Sequence, residues 1–229
     1  GDHRDLHSFP TRRSSDLQDA GIQVVMITGD RKETAVAIAE SAGLLRNPED
    51  LALTSGQLAS LTDDELKELL PRLRVVARAL PMDKSRLVRL SQELNLVVGM
   101  TGDGVNDSPA LKKADVGFAM GSGTEVAKEA GDIVILDDNF LSIKKAILYG
   151  RTIYHSICKF ITFQLSINFS AVAINFLAPF VGIEKPLTIT QILWINLVMD
   201  TLAALAFGGE PALEQYLAEP PRSEEHTSE

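Results

Sequence analysis

The 229-residue chain is acidic, and its apolar residues are unevenly distributed. It carries 22 lysines and arginines against 31 aspartates and glutamates, a net charge of −9, which argues against nucleic-acid binding because that requires a basic surface. A single cysteine, Cys158, excludes an internal disulfide framework. Phe160–Val181 has no formal charge and Leu187–Gly209 has only Asp200. We therefore predict a soluble domain followed by a part that lies in lipid.

Both ends of the chain differ from the rest. Gly1–Leu17 is polar and lacks the apolar core of a signal peptide, and it resembles translated sequencing-adapter DNA. Arg222–Glu229 resembles the matching adapter from the other side. We expect both ends to be artefactual tails whose histidines are not metal ligands, and the authentic segment to run from about Gln18 to Pro221 and to be cut at both ends.

Between the tails and the apolar part, short apolar runs alternate with helical patterns. Gly43 closes the first helix in the usual C-terminal place, and Thr62 with Glu65 forms a capping box for the second. Strands that alternate with helices predict a doubly wound parallel sheet. The predicted strands are Ile22–Ile27, Val75–Ala77, Leu96–Met100, Val116–Met120 and Ile133–Leu136, and the predicted helices are Arg31–Ala42, Thr62–Leu70 and Asp83–Leu94.

The remainder of the chain is predicted to be helical. Ser142–Lys159 is amphipathic and basic, and it continues into Phe160–Val181, which exceeds the ~20 apolar residues needed to cross a bilayer. Pro179 would kink or end this span, and Leu187–Gly208 follows a short turn as a second span. The basic residues before the first span place that side in the cytoplasm. The expected divisions are 18–138 for the α/β domain, 139–159 for a stalk helix, 160–209 for the two spans and 210–221 for a cytoplasmic segment.

The candidate chemistry begins with residues 101–107, Thr-Gly-Asp-Gly-Val-Asn-Asp, directly after a predicted strand. The glycines let the backbone turn sharply, so Asp103 and Asp107 project into the crevice where α/β sheets bind ligands. Two carboxylates alone would repel a phosphate, but with a hard divalent cation they form a Mg²⁺ site that receives one. Thr28-Gly29-Asp30 offers a hydroxyl and amides to the same phosphate, and Lys84 offers a positive charge. Singly, the triplet is typical of a plain turn and the lysine of a solvated surface. Together, in this order and each at a strand end or a helix start, the string at residues 101–107, the triplet at residues 28–30 and Lys84 predict a phosphate site.

Further strings extend this pattern: Asp115–Gly121 (DVGFAMG), Val126–Ala130 (VAKEA) and Leu136–Phe140 (LDDNF). With them, residues 18 to 221 resemble the P-type ATPases, whose phosphorylation domain has the haloacid dehalogenase-like fold. The resemblance implies that ATP donates the phosphoryl group. It also implies that Asp103 binds Mg²⁺, that the catalytic residues are Thr28, Gly29, Asp30, Lys84, Asn106 and Asp107, and that Arg78, Thr101 and Gly102 contact the cofactor.

One departure from the family concerns the nucleophile. In P-type ATPases this is the aspartate of Asp-Lys-Thr-Gly-Thr, a motif that the 229 residues do not contain; Asp83–Arg86 (DKSR) is a superficial echo that opens a helix. The nucleotide-binding domain that the family inserts before Thr28 is missing as well. We therefore expect the chain to be a piece of a longer pump that, as given, neither autophosphorylates nor hydrolyses ATP.

Asp200 is an ionisable residue within a predicted membrane span. Placing such a residue in the membrane costs free energy, so we expect it to have a function there. Asn196 lies one turn before it on the same face. A carboxylate and an amide carbonyl on one face suit a hard cation such as Ca²⁺. Gln164 and Asn168 on the first span are also four residues apart and could point at the same place, although helix–helix hydrogen bonding is the preferred interpretation for Gln164.

The segment Gln191–Asp200 (QILWINLVMD) is similar to the sixth transmembrane helix of calcium pumps, in which the matching asparagine and aspartate bind the ion. Reticulum-type pumps have a glutamate where this chain has Ala171 and a threonine where it has Met199, whereas plasma-membrane-type pumps lack both. The resemblance implies a plasma-membrane-type pump that moves one Ca²⁺ per cycle, bound by Asn196, Asp200 and a glutamate outside this chain. It places the α/β domain in the cytoplasm, with lipid, Ca²⁺ and the rest of the pump as partners.

Three alternatives stay open. A secretory-pathway-type pump moves Mn²⁺ as well as Ca²⁺, and ligand type barely separates the two ions. A haloacid dehalogenase-like phosphatase fused to a membrane anchor would have no use for Asp200. A non-catalytic membrane-bound binding module would not need the Mg²⁺ residues. The effect of Asp200→Asn on the ion dependence of the intact protein discriminates among these classes.

Overall fold

A computed structural model describes residues 17–18, 20–183 and 187–219. They form two compact units: the first extends to Lys145 and includes Ala218 and Glu219, and the second comprises Ala146–Leu217. The two expected tails lie outside the described residues except for Leu17. That residue is buried, and its carbonyl accepts a hydrogen bond from the amide of Ile22 (2.9 Å).

Among the described residues, the first unit contains two three-stranded sheets, where the sequence predicts one. Every strand pair in them is parallel, as predicted. Their strand orders are β1-β3-β2 and β4-β5-β6. The strands are β1 (Met26–Ile27), β2 (Leu51–Thr54), β3 (Leu73–Ala77), β4 (Gly99–Gly102), β5 (Val116–Met120) and β6 (Ile133–Ile135).

Helices alternate with these strands in the described part of the first unit. Gly43 follows the first helix with a left-handed φ of 67°, and Thr62 caps the third in a capping box with Glu65, so both predicted helix boundaries are confirmed. The helices are α1 (Lys32–Ser41), α2 (Ser55–Ser60), α3 (Asp63–Leu69), α4 (Pro81–Glu93), α5 (Ser108–Lys113) and α6 (Glu125–Ala130).

Strand β3 lies at the centre of the first sheet and is covered on both faces. On one face, Val76 packs in a core built from α2, α3 and α4; on the other, Val75 and Ala77 pack against Ala35 and Ala39 of α1. This double cover explains why Val75–Ala77 within β3 are all apolar and buried, without alternation. It also fixes the positions of the loops that follow β1 and β3.

An ionic cluster attaches α4 to the segment before it. Arg89 Nη2 contacts Asp63 Oδ2 (2.6 Å), Arg86 Nη2 contacts Asp63 Oδ1 (2.7 Å), and Arg86 Nη1 donates to the carbonyl of Leu58 (2.8 Å). Hydrogen bonds from Arg89, and then from Arg86, hold the pKa of the Asp63 carboxyl below its usual range. The cluster orients the helix that carries Lys84.

The second unit contains most of a long helix, α7 (Phe140–Leu177), and all of α8 (Ile189–Gly208). The α-helical part of the first span ends before Pro179, as predicted, and continues as a 3-10 turn over Ala178–Val181. Thr188 caps α8 by accepting a hydrogen bond from the amide of Gln191 (3.3 Å). Both helices are long and apolar enough to cross a membrane. Residues 184–186 of the predicted turn lie outside the described residues.

Several contacts join the ends of these helices within the second unit. Lys159 Nζ pairs with Glu210 Oε2 (2.7 Å), the rings of Phe163 and Phe207 lie edge to face with centroids 6.1 Å apart, and His155 stacks on Tyr216 at 4.3 Å. As the residue number rises from 155 to 163 along α7, the number of the partner residue falls from 216 to 207. The helices therefore form the predicted antiparallel hairpin.

Candidate functional site

The loop after β1 and the loop after β3 are hydrogen-bonded to each other. The amide of Arg78 donates to the carbonyl of Asp30 (2.9 Å), and the amide of Ala79 donates to the carbonyl of Thr28 (2.9 Å). Arg78 is exposed and has a left-handed φ of 51°, which a non-glycine residue adopts at a cost of about 1 kcal/mol. These contacts bring the predicted residues Thr28, Gly29, Asp30 and Arg78 together at one edge of the sheet.

The Thr28 hydroxyl is engaged within its own loop. It donates to Asp30 Oδ2 (2.9 Å) and accepts from the amide of Asp30 (3.2 Å). Both residues are exposed or half-buried at the carboxyl end of β1. To donate to a bound phosphoryl oxygen, the hydroxyl has to exchange the Asp30 carboxylate for that oxygen.

The turn after β4 places its two carboxylates in different environments. Asp107 is buried (6% exposed); its Oδ1 accepts from the Lys84 ammonium, and its Oδ2 accepts from the amides of Asp103 (3.3 Å) and Gly104 (3.4 Å). Asp103 itself is exposed. The sequence analysis expected both carboxylates to project into the crevice, whereas the Asp107 carboxylate turns back beneath its own loop.

Two glycines permit this packing. A β-carbon on Gly102 would lie 2.5 Å from Asp107 Cβ, and one on Gly123 would lie 2.8 Å from the carbonyl oxygen of Asp103. That carbonyl also accepts a hydrogen bond from the amide of Thr124 (2.8 Å). Sequence reasoning missed Gly123 and Thr124, although their position just after β5, in a Gly-Ser-Gly-Thr run, is a signal for a loop at the same sheet edge.

The donor set at this edge fits a magnesium ion through Asp103. Its carboxylate has no hydrogen-bond or ion-pair partner among the described residues, whereas both oxygens of Asp107 are engaged. Mg²⁺ commonly binds one or two carboxylates and keeps several waters. The described part of the chain contains no group of three or more acidic, histidine or cysteine side chains placed to hold a metal, so these residues offer a partial ligand set.

The other predicted residues of the turn lie beside Asp103. Asn106 is exposed in a 3-10 turn over Val105–Asp107, and Thr101 is exposed within β4. Strand β4 begins and ends later than the predicted Leu96–Met100, because the amide of Val98 is bound by the Asp115 carboxylate (2.7 Å). The motif therefore starts within the strand.

The second unit holds the predicted intramembrane residues. Asn196 and Asp200 are half-buried on α8, while the apolar residues Leu193 and Leu197 between and beside them are 64% and 67% exposed. Asn196 and Asp200 are thus more buried than the neighbouring leucines. This is the reverse of the pattern on a helix of a soluble protein and the arrangement expected of a helix in lipid. Asp200 Oδ1 is buried and has no hydrogen-bond partner among the described residues.

The parallel sheets and the carboxyl-edge aspartates define the class of the first unit: it is a haloacid dehalogenase-like domain. Residues 13–115 match the haloacid dehalogenase-like hydrolase family, and residues 89–147 match a second family of that description. Residues 184–228 match the C-terminus of cation transporting ATPases. The predicted fold class is confirmed.

Named relatives confirm the resemblance to calcium pumps. The chain is 48% identical over 204 residues to probable calcium-transporting ATPase 6, plasma membrane-type, of Oryza sativa subsp. japonica, covering 88% of the chain and 20% of that protein. It is 47% identical over 207 residues to calcium-transporting ATPase 2 of Schizosaccharomyces pombe, covering 89% and 16%. It is 47% identical over 219 residues to plasma membrane calcium-transporting ATPase 1 of Mus musculus, covering 89% and 18%.

A solved structure of a zinc-transporting PIB-type ATPase in the E2.Pi state aligns with 89% of the chain and 27% of its own length, at a TM-score of 0.60 and 27% identity. The chain spans about a fifth of the length of the curated relatives it matches. It aligns with one segment of these calcium-transporting ATPases.

Proposed function

We propose that this chain is the segment of an ATP-driven calcium transporter that contains part of the phosphoryl-transfer site and part of the cation site. The observation that carries the proposal is the buried oxygen of Asp200, unpartnered among the described residues, in a helix of membrane-spanning length. A membrane anchor gains nothing from such a group, whereas a cation path requires it. The names of the relatives, which are calcium-transporting ATPases, support Ca²⁺ as the ion.

In this proposal the residues of the first unit bind and orient the transferred phosphoryl group. Lys84 neutralises its charge while Asp107 holds the ammonium in place, and Thr28 and the amides of Gly29 and Asp30 bind its oxygens. Asp103 would hold Mg²⁺, which supplies charge neutralisation at the phosphoryl oxygens. Arg78, Thr101, Gly102 and Asn106 complete the surroundings, with ATP as the phosphoryl donor.

The nucleophile lies outside these residues. Phosphoryl transfer in the proposed mechanism requires an aspartate that accepts the γ-phosphoryl group of ATP, and the sequence has no Asp-Lys-Thr-Gly-Thr. Purified chain with Mg²⁺ and labelled ATP should therefore form no acid-stable phosphoprotein. Mg²⁺-dependent turnover by the chain alone would contradict this.

In the second unit, Asn196 and Asp200 bind the transported ion. Their oxygens share one face of α8 and are hard ligands suited to Ca²⁺. Basic residues at the start of α7 support a cytoplasmic location for the first unit, and the plasma-membrane-type relatives support residence in the cell membrane. The transporter would move one Ca²⁺ per cycle.

The test uses the full-length pump that carries this segment, with Ca²⁺-dependent phosphoenzyme formation as the readout. Asp200→Asn removes the charge and keeps the shape, so we expect loss of the Ca²⁺ dependence. Thr201→Val is the matched control, because Thr201 is exposed and its hydroxyl already donates to the carbonyl of Leu197 (2.8 Å). An unchanged Ca²⁺ dependence in Asp200→Asn would refute transport through this residue and favour the anchored phosphatase.

A further inference from the structure

On its other helix, the hairpin carries a second buried oxygen that has no partner among the described residues. Gln164 Oε1 is buried and accepts no hydrogen bond from any described residue. Sequence reasoning preferred helix–helix hydrogen bonding for this side chain, and no such bond to its oxygen is present among the described residues. An unsatisfied buried acceptor costs about 1–3 kcal/mol, and more where no water can reach it.

Gln164 belongs to a polar stripe on α7. Gln164, Asn168, Ala171 and Asn175 follow each other at spacings of four, three and four residues, and all four are half-buried. Exposed apolar residues flank them, such as Phe169 at 77%. Asn175 is satisfied, because its amide nitrogen donates to the carbonyl of Ala171 (2.9 Å). The stripe is therefore the covered face of a helix that presents apolar residues outward.

Helix α8 carries a stripe of the same spacing. Asn196, Asp200, Ala203 and Phe207 are separated by four, three and four residues and are half-buried or buried. The antiparallel hairpin therefore has one covered stripe on each helix, and each stripe contains polar side chains.

The pairs at the hairpin end fix the register of the two stripes. Because Phe163 contacts Phe207 and Lys159 contacts Glu210, Asp200 lies level with about residue 170 of α7. At 1.5 Å per residue, Gln164 is then ~9 Å along the axis from the level of Asp200 and ~8 Å from Lys159. Gln164 therefore lies about midway between the charged end of the hairpin and Asp200.

We propose that Gln164 lines the path by which Ca²⁺ reaches Asp200 from the charged end of the hairpin, and that its side-chain oxygen replaces part of the ion's hydration shell on the way. A carbonyl oxygen is a ligand that Ca²⁺ accepts readily. A neutral oxygen is suited to a transit position, because it binds the ion less strongly than the carboxylate beyond it. The inference rests on the proposed transport function and adds a residue to its cation route.

The test compares two substitutions of similar volume in the full-length pump. Gln164→Met removes the oxygen, and Gln164→Glu retains one. We expect Gln164→Met to slow two rates about tenfold: the formation of phosphoenzyme after Ca²⁺ is added, and the release of bound Ca²⁺ to a chelator. Gln164→Glu should keep both within about threefold. Ser166→Ala is the control, because Ser166 is exposed on the same helix and its hydroxyl donates to the Thr162 carbonyl (2.8 Å).

The outcomes separate the failure of this inference from the failure of the proposed function. If Asp200→Asn abolishes the Ca²⁺ dependence while Gln164→Met behaves like Ser166→Ala, the path through Gln164 is refuted and transport stands. If Gln164→Met and Gln164→Glu are equally impaired, the oxygen is not the reason and the inference is also refuted. If Asp200→Asn has no effect, the transport proposal itself fails.

Discussion

The contact between Gly102 and Asp107 gives a sharp test of how the phosphate-site turn is built. An alanine β-carbon at residue 102 would lie 2.5 Å from Asp107 Cβ and 3.0 Å from its carboxylate, so Asp107 must move. Overpacking of this kind costs about 1–3 kcal/mol. Gly104→Ala is a matched control, because its β-carbon would meet nothing closer than 3.8 Å and its φ of −111° suits alanine.

Hydrogen exchange of the intact chain in detergent, measured by mass spectrometry, detects a loss of stability within the turn itself. A loss of about 2 kcal/mol in the turn corresponds to about 30-fold faster exchange of the amides in β4 and the 3-10 turn. We expect that acceleration in Gly102→Ala and less than about threefold in Gly104→Ala. Equal protection in the two variants would refute the argument that Asp107 must lie against residue 102.

Two further predictions concern charged groups of the first unit. Lys84→Met leaves the buried Asp107 carboxylate without its cation and should destabilise the fold by about 3 kcal/mol. In a double-mutant cycle measured by denaturant unfolding, adding Asp107→Asn should recover part of this loss. Strict additivity of the two substitutions would contradict the pairing. The pKa of Asp63 is lowered, chiefly by its hydrogen bond from Arg89. The stability that this carboxylate contributes is therefore fully present above its unfolded pKa of about 4. It is lost as the pH falls through the lower folded pKa. Thermal unfolding from pH 6 to pH 3 should show a smaller decline in Asp63→Asn, and an identical decline would refute this.

The elements that the sequence predicts well are those with a local signal. Thr62 with Glu65 and Gly43 each mark a helix end through a hydrogen bond or a backbone angle that involves a few neighbouring residues. The strand β2, by contrast, went unpredicted: its four residues are half-buried and do not alternate, and its pairing partner is β3, about twenty residues away. Pairing of that kind is fixed by tertiary contacts and not by local pattern.

The candidate site shows the same limit. The motif places Asp103 and Asp107 in one turn, but it does not say where each carboxylate points. That depends on the amides of Asp103 and Gly104 and on Lys84, which belongs to a helix 23 residues from Asp107. Whether Gln164 hydrogen-bonds to another helix depends on the register between the helices, which the sequence does not specify; its Oε1 has no partner among the described residues.

The four-residue separation of the two aspartates explains why the turn contains two carboxylates with different tasks. The 3-10 turn over Val105–Asp107 brings the second carboxylate back beneath the first residues of the motif, where two amides and Lys84 satisfy it. A buried carboxylate satisfied in this way positions the loop and the lysine, and it has no oxygen left for a metal. Asp103 is consequently the only carboxylate of the motif that can bind a cation without first breaking an ion pair. Substituting Asp107 should therefore disturb folding and the position of Lys84, whereas substituting Asp103 should remove cation binding and leave the fold intact.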